Sequence, residues 1–273
     1  MLGHSFLGMD QELLRLSPSS VTDFKSCPQL FKYRTIERLP EPVSGPAARG
    51  SLIHAVLERL FAEAAHTRTP ARAAELLEAL WDQVRSEPEF RPEGMGNVEE
   101  DAWLAETKSL LGNYFKLEDP RTLNASRLEW WIEYELSDLQ LRGIIDRLEE
   151  RPDGSWVLTD YKTGRVPGES RELAAFFGLR FYALVCWRAF GVIPKEIRLV
   201  YLADPVVLTL NPHERMLLAF ERQMSALGAA VKRSIVTGDW RTRPSPFCMS
   251  CSFQNQCPAW ADVQATESTE TEA

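Results

Sequence analysis

Three stretches in the middle of the chain alternate polar residues with aromatic or branched ones, and a strong turn signal separates the last two. Residues 127–136 (RLEWWIEYEL), 139–149 (LQLRGIIDRLE) and 155–162 (SWVLTDYK) have the texture of strands. Between the second and third stands Arg151-Pro152-Asp153-Gly154, where Pro presets φ and Gly permits a positive one. A hairpin is the economical reading, and the rest of the fold must be built around it.

Before residue 126 the period changes. Residues 17–38 read as helix with a Cys-Pro interruption, Ser20 capping and Asp23 three positions on. In 47–66, Leu52, Ile53, Val56, Leu57, Leu60 and Phe61 recur at three and four, the mark of an amphipathic helix. Residues 71–86 and 98–117 predict two more, divided by SEPEFRPEGMG. After the hairpin come a helix over 171–190, strands over 195–203 and 206–210, and a long helix over 212–237. The expectation is an α/β fold with a helical N-terminal half.

A length of 273 residues suits one sizeable domain, placed at 17–260 between an N-terminal extension (1–16) and an acidic tail (261–273) read as disordered. No apolar run approaches the roughly 18 residues of a membrane span, and no basic patch precedes an apolar stretch at the N-terminus, so a cytoplasmic location is expected. The net charge of −8 argues against a DNA coat protein held by bulk positive field. Four of those eight excess negatives lie in the tail, at Asp262, Glu267, Glu270 and Glu272, so the body is only mildly acidic. No G-x-x-x-x-G-K-[ST], H-E-x-x-H or G-x-S-x-G occurs, which removes an intrinsic helicase motor and the commonest protease and esterase readings.

Chemistry concentrates on the hairpin. Asp160 and Lys162 share a strand face, Tyr161 points the other way, and the turn brings Asp146 beside them. Two carboxylates and an ammonium on one face suit a hard divalent cation, Mg²⁺ or Mn²⁺, with Lys162 stabilising charge at a phosphoryl group. By itself an Asp-x-Lys on a strand is more often solvated surface, and a lone His54 more often a packed or capping histidine.

The motifs, taken together, resemble a family. Gly143-Ile144-Ile145-Asp146-Arg147 followed by Asp160-Tyr161-Lys162-Thr163-Gly164, with Arg49-Gly50-Ser51-Leu52-Ile53-His54 upstream, is similar to the signature of RecB-type exonucleases in the PD-(D/E)XK nuclease superfamily. The resemblance implies a restriction-endonuclease-like core, a mixed central sheet flanked by helices. It implies His54, Asp146 and Asp160 as magnesium or manganese ligands, Lys162 as the catalytic lysine, and Tyr182 as a further active-site residue. One departure stands out: where the family carries Gln four residues ahead of that Tyr, this chain has Gly178. Either the polar contact is missing or another group, such as Arg180, supplies it.

Cys248-x2-Cys251-x5-Cys257 is a compact triplet that needs a fourth ligand, for which Cys27 is the candidate, whereas Cys186 sits in an apolar run and reads as a buried thiol. Zinc is the generic occupant of four cysteines. One distant cysteine plus a C-terminal triplet resembles the iron-sulfur nucleases such as AddB, which implies a [4Fe-4S] cluster on Cys27, Cys248, Cys251 and Cys257.

The function expected from these resemblances is a metal-dependent deoxyribonuclease (hydrolase), an exonuclease on single-stranded or end-exposed DNA in DNA repair or recombination, with a helicase or repair protein as partner. The alternative is a DNA-binding iron-sulfur module whose nuclease centre is weak or silent. Phosphate contacts are expected from Lys25, Lys32, Arg34, Arg38, Arg241 and Arg243, and base stacking from Phe31, Tyr33 and Trp240.

Overall fold

The computed structural model describes residues 13–87, 89–92, 94–168 and 171–260; the acidic tail and residues 1–12 lie outside them. Two hairpins lay down the sheet. Strands β2 (Ala125–Leu136) and β3 (Leu139–Glu150) pair antiparallel along almost their whole length. They turn through Ser137, at a left-handed φ of 57°, and Asp138, which Lys232 holds by an ion pair. At Arg151–Gly154 β3 folds back into β4 (Trp156–Lys162), as the turn signal predicts. Gly154 adopts φ +76°, strained for any residue with a Cβ, and its N–H donates to the Arg151 carbonyl at 2.8 Å.

β5 (Glu196–Tyr201) joins β4 in parallel, and β6 (Val206–Leu210) closes that edge antiparallel. A further strand, β1 (Leu14–Leu16), pairs in parallel with Leu139–Leu141 of β3. The sequence reading places these residues in the extension, because three residues show no period of their own; only the partner makes them a strand. The sheet is therefore mixed, in the order β1-β3-β4-β5-β6 with β2 along the other edge of β3.

Helices cover both faces. Apolar residues of α1 (Pro18–Ser26), α2 (Pro28–Phe31), the short α6 (Glu172–Ala175), α7 (Phe177–Phe190) and α8 (Glu214–Thr237) form one core with Ile197, Leu199 and Tyr201 of β5. Those of α3 (Gly45–Ala62), α4 (Pro70–Val84) and α5 (Asn97–Leu117) form a second with Val200 of β5 and Tyr161 of β4. The alternation along β5 is the strand period reading out two buried faces.

Two local readings need correction. Ser17, not Ser20, caps α1: its side chain accepts from the Ser20 N–H, Ser20 returns the bond, and Asp23 pairs with Arg34 at 2.9 Å instead. The single helix expected over 171–190 is two, a short turn at Glu172–Ala175 and then α7. The break falls at Phe176, just ahead of Gly178, the weakest helix former in the stretch.

Candidate active site

β3 divides one edge between two partners, β1 along Leu139–Leu141 and β4 along Arg147–Glu150. Residues 142–146 have no ladder partner on that edge among the described residues, and here the sheet opens. A Cβ on Gly143 would lie 2.5 Å from the Tyr182 ring, so only glycine lets Tyr182 of α7 lie against the opened strand. The Ile144 N–H bonds to the Tyr182 oxygen, while burial, then the Asp160 and Asp146 charges, push the phenol above its usual range. Gly143→Ala is expected to displace this ring and to lower any activity of the site about tenfold to a hundredfold with the fold retained. Steady-state kinetics beside thermal melting, with Tyr182→Phe for comparison, checks this.

Asp146 lies three residues beyond Gly143, almost fully buried, its Oδ2 accepting the Tyr161 N–H at 2.7 Å. Burial first and the Asp160 charge second raise its carboxyl well above the ordinary value, against the pull of that N–H and of Lys162 and Arg147. His54 reaches the same place from α3. Its Nε2–H donates to the Tyr161 carbonyl at 3.1 Å, a bond that sets the tautomer and leaves the Nδ1 lone pair facing Asp146 Oδ2 at 3.5 Å. The backbone of one residue on β4, Tyr161, thus orients both side chains.

The third member of this close group is one that sequence reasoning missed. Glu129 Oε1 stands 3.8 Å from His54 Nδ1, and His54, Glu129 and Asp146 offer ligand atoms within 4.8 Å of one another. Glu129 holds a left-handed φ of 41° inside β2, a backbone strain of roughly 1–3 kcal/mol that is characteristic of functional positions. Burial, and after it the Asp146 charge, lifts its carboxyl to about 7. It is one of three glutamates in 127–136, and nothing in their spacing singles it out.

Asp160 stands beside the close group, paired to Lys162 Nζ at 2.5 Å, and its buried Oδ2 lacks a well-formed hydrogen bond. Burial opposes the charge on Lys162, but Asp160, Asp146 and Tyr201 outweigh it and hold the ammonium above its ordinary pKa. The donor set is one imidazole nitrogen and hard carboxylate oxygens, without thiolates, and it fits a small divalent cation. The shape of the site suits a large, extended ligand: Asp160, Lys162 and Tyr182 line a cleft of about 2000 Å³.

Most of the expected nucleic-acid contacts are engaged elsewhere. Phe31 is buried against Phe24 and Trp240, and Tyr33 is buried with its hydroxyl donating to the Gln256 carbonyl, so neither presents a face to a base. Lys32 pairs with Glu37, Arg34 with Asp23 and Glu41, and Arg241 with Asp239; Arg243 donates to the Lys25 carbonyl, and Lys25 lies over the Phe177 ring. Of the six cations, Arg34 and Arg38 line the cleft. Nor does Arg180 replace the missing glutamine: it donates to the Leu173 carbonyl and stacks on Phe220. Cys186 is fully buried, with its thiol pushed up to about 12 by burial, as expected of an inert core residue.

No described helix is long and apolar enough to cross a membrane. A comparison with curated proteins finds no match. Among solved structures, a "putative exonuclease" of Eubacterium rectale superposes with a TM-score of 0.50 at 12% identity, covering 86% of this chain and 88% of that one. The protein SSO0001 superposes with a TM-score of 0.43 at 14% identity, covering 94% and 90%. At the level of sequence the match is broader in meaning: the family described as the PD-(D/E)XK nuclease superfamily aligns with residues 15–258, from β1 through the three motifs to the last cysteine. With the opened sheet and its His, Glu, Asp and Lys side chains inside that span, the chain belongs to the PD-(D/E)XK nuclease superfamily.

Proposed function

We propose that this protein is a RecB-like, Mg²⁺- or Mn²⁺-dependent deoxyribonuclease that degrades single-stranded or end-exposed DNA exonucleolytically in repair or recombination. The observation that carries the reading is the convergence of His54 Nδ1, Glu129 and Asp146 beside the Asp160–Lys162 pair, which itself lines a cleft of about 2000 Å³. The relative from Eubacterium rectale, whose description names an exonuclease, is consistent with it. A bound divalent cation would supply Lewis acidity at the phosphoryl group and activation of water. His54, Glu129, Asp146 and Asp160 would hold it. Lys162, kept charged by its carboxylate neighbours, offsets negative charge as it grows on the phosphoryl oxygens, and the Tyr182 hydroxyl stays protonated beside them.

Cleavage of end-labelled single-stranded DNA by anaerobically purified protein, with and without Mg²⁺ or Mn²⁺, tests the proposal. Metal-dependent degradation that Lys162→Ala reduces by about 10²- to 10³-fold is the expected result. A protein that binds the strand without cutting it would instead support the second reading, a silent DNA-binding module acting with a helicase or repair partner. Gly178 favours that reading, since Arg180, turned to the Leu173 carbonyl and the Phe220 ring, does not take the place of the family's glutamine.

We further propose that Cys27, Cys248, Cys251 and Cys257 hold a [4Fe-4S] cluster that braces residues 17–260 as one domain. Supporting this, the C-terminal segment docks on the segment that follows Cys27: Phe253 packs on Tyr33 with ring centres 5.2 Å apart, and Ser252 bonds to Glu41. The Cys251 thiol is raised by burial and then by the Cys248 and Cys257 thiols. Cys27→Ala is expected to lose the cluster absorbance and to melt earlier; a variant with both intact would refute the fourth ligand.

A further inference from the structure

The face of the β2–β3 ribbon that carries the acidic group continues past it in a regular way. Trp131 and Ile144 are directly opposed partners in the ladder. Each is two residues from a member of the metal-fitting group, Trp131 from Glu129 and Ile144 from Asp146, a step of about 7 Å along a strand. One further step brings Arg142, whose guanidinium lies 5.8 Å from the Trp131 ring centre. The order along this face of the ribbon is therefore the Glu129 and Asp146 carboxylates, the apolar pair, and then Arg142 opposite Glu133, and of these Trp131, Ile144 and Arg142 line the cleft.

The apolar pair is anomalous in its exposure. Trp131 is 51% exposed and Ile144 41%, although they occupy the middle of long strands whose neighbours Ile132 and Ile145 are buried. Both line the large cleft, together with Lys162 and Tyr182. The indole has Ile144 beside it and Arg142 over it but no ring partner among the described residues, so half of a planar apolar surface stays open, and a nucleobase is the planar apolar group that a nuclease brings to such a place. The charge of the cleft agrees. Its lining carboxylates Asp23, Asp138 and Asp160 are each paired to a cation, and Arg38 and Arg142 are additional positive residues in the lining. The acidic net charge of the chain is thus not the charge of this wall.

We infer that Trp131, seated against Ile144, is the stacking platform for one unpaired base of a single DNA strand, next to the phosphate that is cut, with Arg142 taking the following phosphate. The inference rests on the nuclease reading and deepens it by naming the substrate form. A base inside a duplex has both faces covered, whereas an unpaired base can lay one on the indole. Such stacking tolerates any sequence, because every base has a π-face, and the backbone contact to Arg142 carries no sequence information.

The test uses fluorescence anisotropy of labelled single-stranded oligonucleotides in Ca²⁺, and cleavage of the same strands in Mg²⁺ or Mn²⁺. In one set, a single nucleotide at a time is replaced by an abasic residue. Trp131→Ala is expected to weaken binding of the intact strand about five- to a hundredfold, and Trp131→Phe to recover most of the loss. The wild-type protein should bind and cut poorly when the abasic residue falls at one position beside the scissile phosphate, and Trp131→Ala should no longer distinguish that position. Circular dichroism and melting confirm that the variants are folded. Equal binding by wild type and Trp131→Ala, with a flat abasic profile in both, would overturn the inference. Failure of the wild type to cut any strand would instead count against the nuclease reading, and the anisotropy series would still decide the role of Trp131.

Discussion

Asp146→Asn is expected to reduce metal-dependent cleavage by roughly a thousandfold and, in the same protein, to raise the melting temperature of the metal-free form. The two effects have one cause. Asp146 is buried, faces Glu129 across His54 and feels the Asp160 charge, so the metal-free site holds carboxylates closer than their charges favour. Asparagine keeps the oxygen that accepts the Tyr161 N–H while removing the charge a cation needs, and about 1 to 2 kcal/mol of stability should return. The pH dependence carries the same signature. The folded-state pKa of Glu129, raised from 4.5 to about 7, lies above its unfolded value, so the native state binds the extra proton. Stability of the metal-free protein should therefore fall as pH rises from about 4.5 to 7. Added Mg²⁺ should oppose that fall in the wild type and do so weakly in Asp146→Asn. Thermal melting at several pH values, with and without Mg²⁺, reads both; a variant that melts lower than the wild type in the absence of metal would contradict the account.

The second large effect is on folding. Arg147, adjacent in sequence to Asp146, has no exposed surface, and its guanidinium bonds to both Glu118 oxygens at 2.8 and 2.9 Å, to Glu149 at 2.9 Å and to the Tyr161 hydroxyl at 2.6 Å. Its charge also lies 4.8 Å from the centre of the Phe61 ring. Arg147→Met would leave the buried Glu149 carboxylate without its cation and Glu118 with only Arg198, 3.7 Å away. The expected cost is about 3–5 kcal/mol, a fall in melting temperature on the order of ten degrees. Combining it with Glu118→Gln and Glu149→Gln should restore much of the loss, because the penalty comes from unpaired charge and not from lost volume. Urea or thermal denaturation of the single and triple variants distinguishes the two. Activity should follow as well, since the Tyr161 that Arg147 anchors supplies the N–H to Asp146 and the carbonyl to His54. Arg147 is in this sense a positioning residue for the site, acting through the opposite face of β4.

The elements that carry the site were legible because they follow short-range rules. The Arg151–Gly154 turn sets the β3–β4 register, and that register places Asp146 near Asp160 and Lys162 before any helix is considered. The spacing of apolar residues from Leu52 to Phe61 marks α3, which brings His54 to the sheet. The mixed sheet flanked by helices, expected from the family resemblance, is the fold observed.

Other features arise only when distant segments meet. A three-residue strand such as β1 has no period to detect; it exists because the first half of β3 presents an open edge to it. Glu129 looks like any strand glutamate until His54 arrives from α3 and the β2 backbone turns left-handed at that position. Phe31 and Tyr33 look like stacking residues until the C-terminal segment and Trp240 cover them, whereas Trp131, one aromatic among several in its strand, stands half exposed in the cleft. Sequence by itself determined which strands bear Asp146, Asp160 and Lys162 and that they share a face, because backbone alternation and turn chemistry are local. The tertiary structure alone decided which carboxylate completes the group and which aromatic faces the cleft, because burial and proximity are properties of contacts between segments far apart along the chain.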